Sequence, residues 1–111
     1  MGLFAAGQVA LLPFPFSDLS RNKLRPVVIL ANADREDWIV CQITSNPFGD
    51  RRSISLTPFE FSTGMLQRTS YVRPGKVFTA HESLLGTVVG TLRPETLEAI
   101  RQAVISVIRE F

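Results

Sequence analysis

The sequence predicts a mainly β fold, a small barrel with one amphipathic helix packed on it at the C-terminal end. Three observations carry this reading. Short apolar or alternating runs recur from Val9 to Leu92, with turn signals about every 8 to 12 residues. One of them, Val27–Leu30, is apolar on both faces, as a strand covered on both sides must be. After Pro94 the period changes, and Leu97, Ile100, Val104, Val107, Ile108 and Phe111 follow at helical spacing.

Each element has its own signal. Val9–Leu12 is a short apolar run closed by Pro13, and Val27–Leu30 is the buried central strand. Trp38–Thr44 alternates, with Ile39, Cys41 and Ile43 on one face and Gln42 and Thr44 on the other. Ser53–Thr57 also alternates, Ile54 and Leu56 facing in and three hydroxyls out. Ser70–Arg73 and Lys76–Thr79 flank Pro74-Gly75, a turn dipeptide. Gly86–Leu92 is the last strand. Ser17–Leu24, Asn32–Asp37, Asn46–Arg52 and Pro58–Gly64 are expected as turns or loops, and His81–Leu85 as one extra helical turn. Pro94 suits the first position of the final helix. A barrel of this kind closes imperfectly, and an exposed edge invites dimerisation.

The bulk numbers bound the function. A chain of 111 residues is one domain by size, here residues 1–111, and 45% hydrophobic residues suffice for one core. The net charge of +2 does not by itself point to nucleic acid, but ten of the twelve basic residues are Arg, the bidentate reader of phosphate and carboxylate. The excess lies in residues 1–77, net +3, against −1 for residues 78–111. Cys41 is the only cysteine, which excludes a disulfide framework within one chain and fits a reducing compartment. Between Val40 and Gln42 it reads as a small strand hydrophobe. The N-terminal stretch lacks a basic n-region and is cut by Pro13 and Pro15, unlike a signal peptide. No run approaches the ~20 apolar residues of a membrane span. The expected location is the cytoplasm, with no membrane partner.

Several chemistries drop out. One His excludes a pair of imidazoles, and the spacings of Cys and His fit no zinc motif. Asp34, Glu36 and Asp37 surround Arg35 in a turn, where solvation explains them better than a metal. No glycine-rich phosphate loop is present, so neither metal nor cofactor is expected. What remains is Arg, Ser and Thr. Arg25 precedes Pro26, which restricts its backbone to an extended form and aims its side chain from the start of a strand. Thr44 and Ser45 close the next strand, and strand ends are where sites are built on rigid scaffolds. If the two strands pair antiparallel, Arg25 and Thr44 become neighbours. The plainer reading is an exposed Arg and a strand-terminal Thr.

The stretches GQVALLPFPFSDLSRNKLRPVVIL, VCQITS, SYVRPGKVFT and GTL, in this order and followed by a terminal helix, resemble the PemK/MazF-like family of type II toxins. The resemblance runs from about Gly7 to Ile108. It implies an SH3-like barrel with helices (the superfold shared by the MazF, Kid and CcdB toxins), a homodimer, and a metal-independent endoribonuclease acting on single-stranded RNA. It implies a cognate antitoxin that holds the toxin silent, and contact with operator DNA only through that antitoxin. The family's catalytic Arg falls on Arg25 and its catalytic Thr on Thr44. Phe16, Ser17, Asp18 and Ser20 match the loop that borders RNA, with Lys23 and Ser45 beside the catalytic pair. Ser70 overlays a polar RNA-contacting position. Arg51 and Arg52 are further candidates for the phosphate-binding field. Phe14 and Phe16 are read as core packing or as base-stacking groups.

The sequence departs from the family at Gln8, where many members have an acidic residue. It departs again at Thr63-Gly64-Met65-Leu66, in place of a Gly-Gly-Leu-like stretch, and at Arg93, where a good helix N-cap is usual. The implied reaction uses the RNA 2′-OH as nucleophile and leaves a 2′,3′-cyclic phosphate and a 5′-hydroxyl. Arg25 would stabilise the phosphorane charge and protonate the leaving 5′-oxygen, and Thr44 would donate to a non-bridging oxygen. An arginine keeps its proton near neutral pH and is a poor base. Water, Asp18 and the substrate itself remain open as the base, and His81 is read as structural. The alternatives are a non-catalytic barrel that poisons a protein target such as gyrase, and an inactive nucleic-acid-binding barrel. Relatives that poison gyrase end in Trp-Gly-Ile, whereas this sequence closes on Ile108-Arg109-Glu110-Phe111.

Overall fold

Four consecutive apolar residues cannot be buried by one layer, so Val27–Leu30 dictates protein on both sides of its strand. In the computed structural model, which describes residues 3–15 and 22–110, these residues are the centre of β2 (Asn22–Asp34). β2 pairs antiparallel with β1 (Gln8–Pro15) and with β3 (Asp37–Thr44). β4 (Ile54–Leu56), β5 (Phe61–Gly64), β6 (Ser70–His81) and β7 (Val88–Leu92) complete one antiparallel sheet in the order β4-β6-β3-β2-β1-β7-β5. Helix α1 (Pro94–Arg109) follows, and 3₁₀ turns stand at Pro58–Glu60 and Glu82–Leu84.

Each face of β2 has its own core. Val28 and Leu30 join Cys41, Ile43, Leu56, Phe61, Val72, Leu92 and the helix residue Ile100. Leu56 lies on β4 and Phe61 on β5, the two ends of the sheet. The sheet therefore curls until its ends share one core, giving a nearly closed barrel; no ladder joins β4 to β5 among the described residues. Val27 and Ile29 face the other way, among Ala10, Leu12, Trp38, Val40, Ala80 and Leu85. The mainly β barrel with a C-terminal helix is thus as expected.

The details differ in ways the chain explains. Pro74-Gly75 is not a turn. β6 runs through it as one strand, and the extra residues are absorbed as a bulge, since Cys41 pairs with Val77 but Ile43 with Val72. Pro58–Gly64 is not a loop throughout, because a 3₁₀ turn leads into β5 on β7. Gly64 and Gly90 permit that pairing. A Cβ on Gly64 would lie 2.2 Å from the Val89 carbonyl oxygen, and one on Gly90 2.8 Å from the Thr63 carbonyl oxygen. Gly64 also has φ +69°, so a side chain there is excluded twice. β1 continues through Pro13 to Pro15.

The poorly capped helix finds its partner elsewhere. Arg93 makes no side-chain cap, but Glu60 reaches the first turn. The Thr96 hydroxyl donates to Glu60 Oε1 at 3.2 Å, the Thr57 hydroxyl to Oε2 at 3.3 Å, and the Arg93 amide to the Glu60 carbonyl at 2.8 Å. A carboxylate there also faces the positive end of the helix dipole. Further along, the Arg101 guanidinium donates to the Leu30 carbonyl on β2 at 2.8 and 3.2 Å. Leu97, Ile100 and Val104 meet the core, whereas Ile108 is 67% exposed, so the apolar stripe outruns the barrel by a turn. Phe111 lies outside the described residues.

Candidate functional site

The register of the central strands builds the site. Val27 pairs with Gln42, and continuing that antiparallel register by two residues sets Arg25 opposite Thr44. Leu12 flanks Arg25 on β1, and Tyr71 flanks Thr44 on β6. The β2–β3 ladder itself reaches Val27 and Gln42, so Arg25 on β2 and Thr44 at the end of β3 lie just beyond it.

A groove of about 530 Å³ opens where β2 begins and β3 ends. It is lined by Lys23, Leu24, Arg25 and Pro26 on β2, by Ile43 and Ser45 around the end of β3, and by Leu66, Gln67, Arg68 and Ser70 around the start of β6. The structure thus brings together Lys23, Arg25, Ser45 and Ser70. Phe16, Ser17, Asp18 and Ser20 lie outside the described residues.

Thr44 stands apart from the groove lining. It is 7% exposed, and its hydroxyl donates to the Asn46 carbonyl at 3.0 Å while accepting from the Asn46 amide at 3.2 Å. Its single donor is therefore committed to the turn that follows the strand. Ser70 is similarly engaged, its hydroxyl donating to the Arg68 carbonyl at 3.0 Å, which fixes the loop carrying Gln67 and Arg68. These two loop residues were missed by sequence reasoning. The signal was there, a polar Gln67-Arg68-Thr69 just before a strand, but nothing local says that this loop folds back over the start of β2.

The loop after β3 is tied down from across the sheet. Arg73 Nε donates to Asp50 Oδ2 at 3.0 Å, and both side chains are largely buried. Asp50 Oδ1 accepts from the Arg52 amide at 3.0 Å. The Arg73 hydrogen bond, seconded by that amide, holds the Asp50 carboxyl below its ordinary value. Arg52 itself pairs with Glu110, whereas Arg51 is exposed.

Other reactive groups sit away from the groove. Cys41 is fully buried, donates to the Arg73 carbonyl, and burial pushes its thiol up to about 12, which suits a core side chain and not a nucleophile. His81 Nδ1 accepts from the Ser83 amide at 3.0 Å, and Nε2 faces Glu36 Oε1 at 3.2 Å. His81 pairs with Asp37, at the far end of β3 from Thr44, roughly 23 Å along the strand. Among the described residues no three of His, Cys, Asp and Glu gather as a metal ion would require.

Comparison with known proteins places this geometry. The model of the PemK-like, MazF-like toxin of type II toxin-antitoxin systems matches residues 5–108. No curated protein sequence matches significantly. Among solved structures, an endoribonuclease in complex with its cognate antitoxin from a mycobacterial species aligns with a TM-score of 0.69 at 21% identity, covering 93% of this chain and 92% of the other. The Mycobacterium tuberculosis toxin MazF-mt6 aligns at 0.71 and 19% identity, over 92% and 96% of the two chains. A MazE-MazF complex from Deinococcus radiodurans aligns at 0.75 and 16% identity, over 96% and 97%. At these identities the structural likeness speaks for the fold.

Proposed function

From a chain that belongs to the PemK-like, MazF-like toxin family of type II toxin-antitoxin systems, we propose a metal-independent endoribonuclease that cuts single-stranded RNA. The observation that carries the reading is the groove itself. Lys23, Arg25 and Arg68 line it together with Gln67, Ser45 and Ser70. Such a trough offers cations to a phosphodiester and hydroxyls and an amide to bases.

RNA brings its own nucleophile. The site must align the 2′-oxygen with the leaving 5′-oxygen, neutralise the phosphorane and move two protons. Arg25 takes the charge, since a planar guanidinium matches two phosphate oxygens. Pro26 and the two strands beside β2 keep it in place. Arg25 also donates a proton to the departing 5′-oxygen, while the 2′-OH proton passes to water, which restores the guanidinium after cleavage. Thr44 adds a hydrogen bond to a non-bridging oxygen only by releasing the Asn46 carbonyl; until then it holds the turn that places Ser45. The products are a 2′,3′-cyclic phosphate and a 5′-hydroxyl.

In the cell this chain works in the cytoplasm as a homodimer. A cognate antitoxin covers the groove and carries the pair to operator DNA. Cleavage of single-stranded RNA in excess EDTA tests the central claim. Activity that vanishes on chelation and returns with Mg²⁺ or Zn²⁺ would overturn it.

A further inference from the structure

The loop between β3 and β4 displays an aromatic ring that no packing explains. Phe48 is 73% exposed, and its backbone has φ +53°. A bulky residue in the left-handed region is an outlier, and such a conformation persists only where its surroundings impose it. Here they do. The Phe48 amide donates to Asn46 Oδ1 at 3.0 Å, and Asn46 is held in turn by the Thr44 hydroxyl. Gly49 follows at φ +73°. The Asp50 amide then donates to the Pro47 carbonyl at 2.9 Å and the Ser53 amide to the Asp50 carbonyl at 3.1 Å. The Arg73–Asp50 ion pair fastens the whole loop to β6. Strain and bracing together hold an exposed aromatic in one place.

Its surroundings select the occupant. Phe48 is three residues beyond Ser45, which lines the groove, so at most about 11 Å of chain separates them. Arg51, exposed, stands on the same loop. An exposed aromatic ring and an exposed arginine on the loop that leaves a polar groove lined by Lys23, Arg25 and Arg68 are the equipment for unpaired nucleic acid, because every base presents a π-face. We propose that Phe48 is a stacking platform for an unpaired RNA base one or two nucleotides from the scissile linkage, with Arg51 on the adjoining phosphate. This rests on the RNA-cutting reading of the groove and extends it to a second contact point.

The test uses a short mixed-sequence RNA made non-cleavable by 2′-O-methylation, its binding followed by fluorescence anisotropy at fixed salt. Phe48→Ala should weaken binding roughly 5- to 100-fold, the range for losing one base stack. Phe48→Trp should restore it to within a few-fold. Arg51→Ala should lower the slope of log affinity against log salt by about one unit. On cleavable RNA the Phe48→Ala loss should fall mainly on KM. Phe48→Ala binding like the wild type, in a protein that binds and cuts RNA, overturns this inference alone. A wild type that neither binds nor cuts RNA overturns the groove reading first. Dissociation of the Phe48→Ala protein to monomers, or loss of antitoxin binding with RNA binding intact, assigns the ring to a protein contact and overturns the stacking role.

Discussion

Arg25 and Thr44 differ in where they stand. Arg25 lines the groove, whereas Thr44 is not part of its lining and its hydroxyl engages Asn46. Arg25→Ala should therefore cost at least ~10²-fold in cleavage rate, the scale for removing one stabiliser of transition-state charge. Thr44→Val should cost less and Thr44→Ser least, measured beside circular dichroism to verify folding. Near-full activity of a folded Arg25→Ala protein would remove Arg25 from the mechanism. The antiparallel pairing of the strands that carry Arg25 and Thr44 was legible in the sequence, since it follows from a short connection. The engagement of Thr44 was not legible, because it depends on the turn geometry of Asn46. Asp50 supplies a pH-dependent case. Its carboxyl is held low in the folded state, so its stabilisation is present above the ordinary Asp value and is lost as pH falls through the folded value. The destabilisation by Asp50→Asn, read from thermal melts at pH 7, should thus shrink below about pH 4. An Asn penalty that stays constant with pH would mean the Arg73 pair contributes nothing.

At the scale of elements, alternation and turn residues located most strands, and failures came where tertiary pairing overrode local signals. Pro74-Gly75 reads as a turn, yet β3 offers a continuous partner on which the proline-glycine pair fits as a bulge. β5 is short and opens on Phe61, whose burial depends on β7 and the helix, none of it visible within Phe61–Gly64. The helix start is the clearest instance. Arg93 promised a weak cap, and the missing acceptor arrives from Glu60, 36 residues before Thr96. Glu60→Gln keeps a hydrogen-bond acceptor but removes the charge that faces the helix dipole. It should destabilise by up to about 1 kcal/mol, or roughly 4 °C in Tm for a domain of this size. Glu60→Ala should cost more, because Thr57 and Thr96 then lose a shared partner. Equal melting of the Gln variant and the wild type would show that the charge is immaterial.

The whole molecule has two cores, one on each face of β2, and a groove at the end where β2 begins and β3 closes. Among the described residues the end strands β4 and β5 are unpaired with each other, and open sheet edges of this kind are the physical ground for expecting a dimer. The groove carries Lys23, Arg25 and Arg68. If the groove cuts RNA as proposed, what silences it must compete for Lys23, Arg25 and Arg68. The matching chemistry is an acidic segment with apolar anchors that folds as it binds, because such a segment complements the groove's cations and can be released again. Leu24, 63% exposed beside Arg25, offers an apolar contact for such an anchor. The partner encoded next to this chain should then abolish cleavage near an equimolar ratio, displace a bound 2′-O-methyl RNA, and slow amide hydrogen exchange over residues 17–24. Because both ligands need the same cations, raising salt should weaken them together. Tight binding of the partner with cleavage and RNA binding intact would place it on another face, and competition for the groove would then have no part in control.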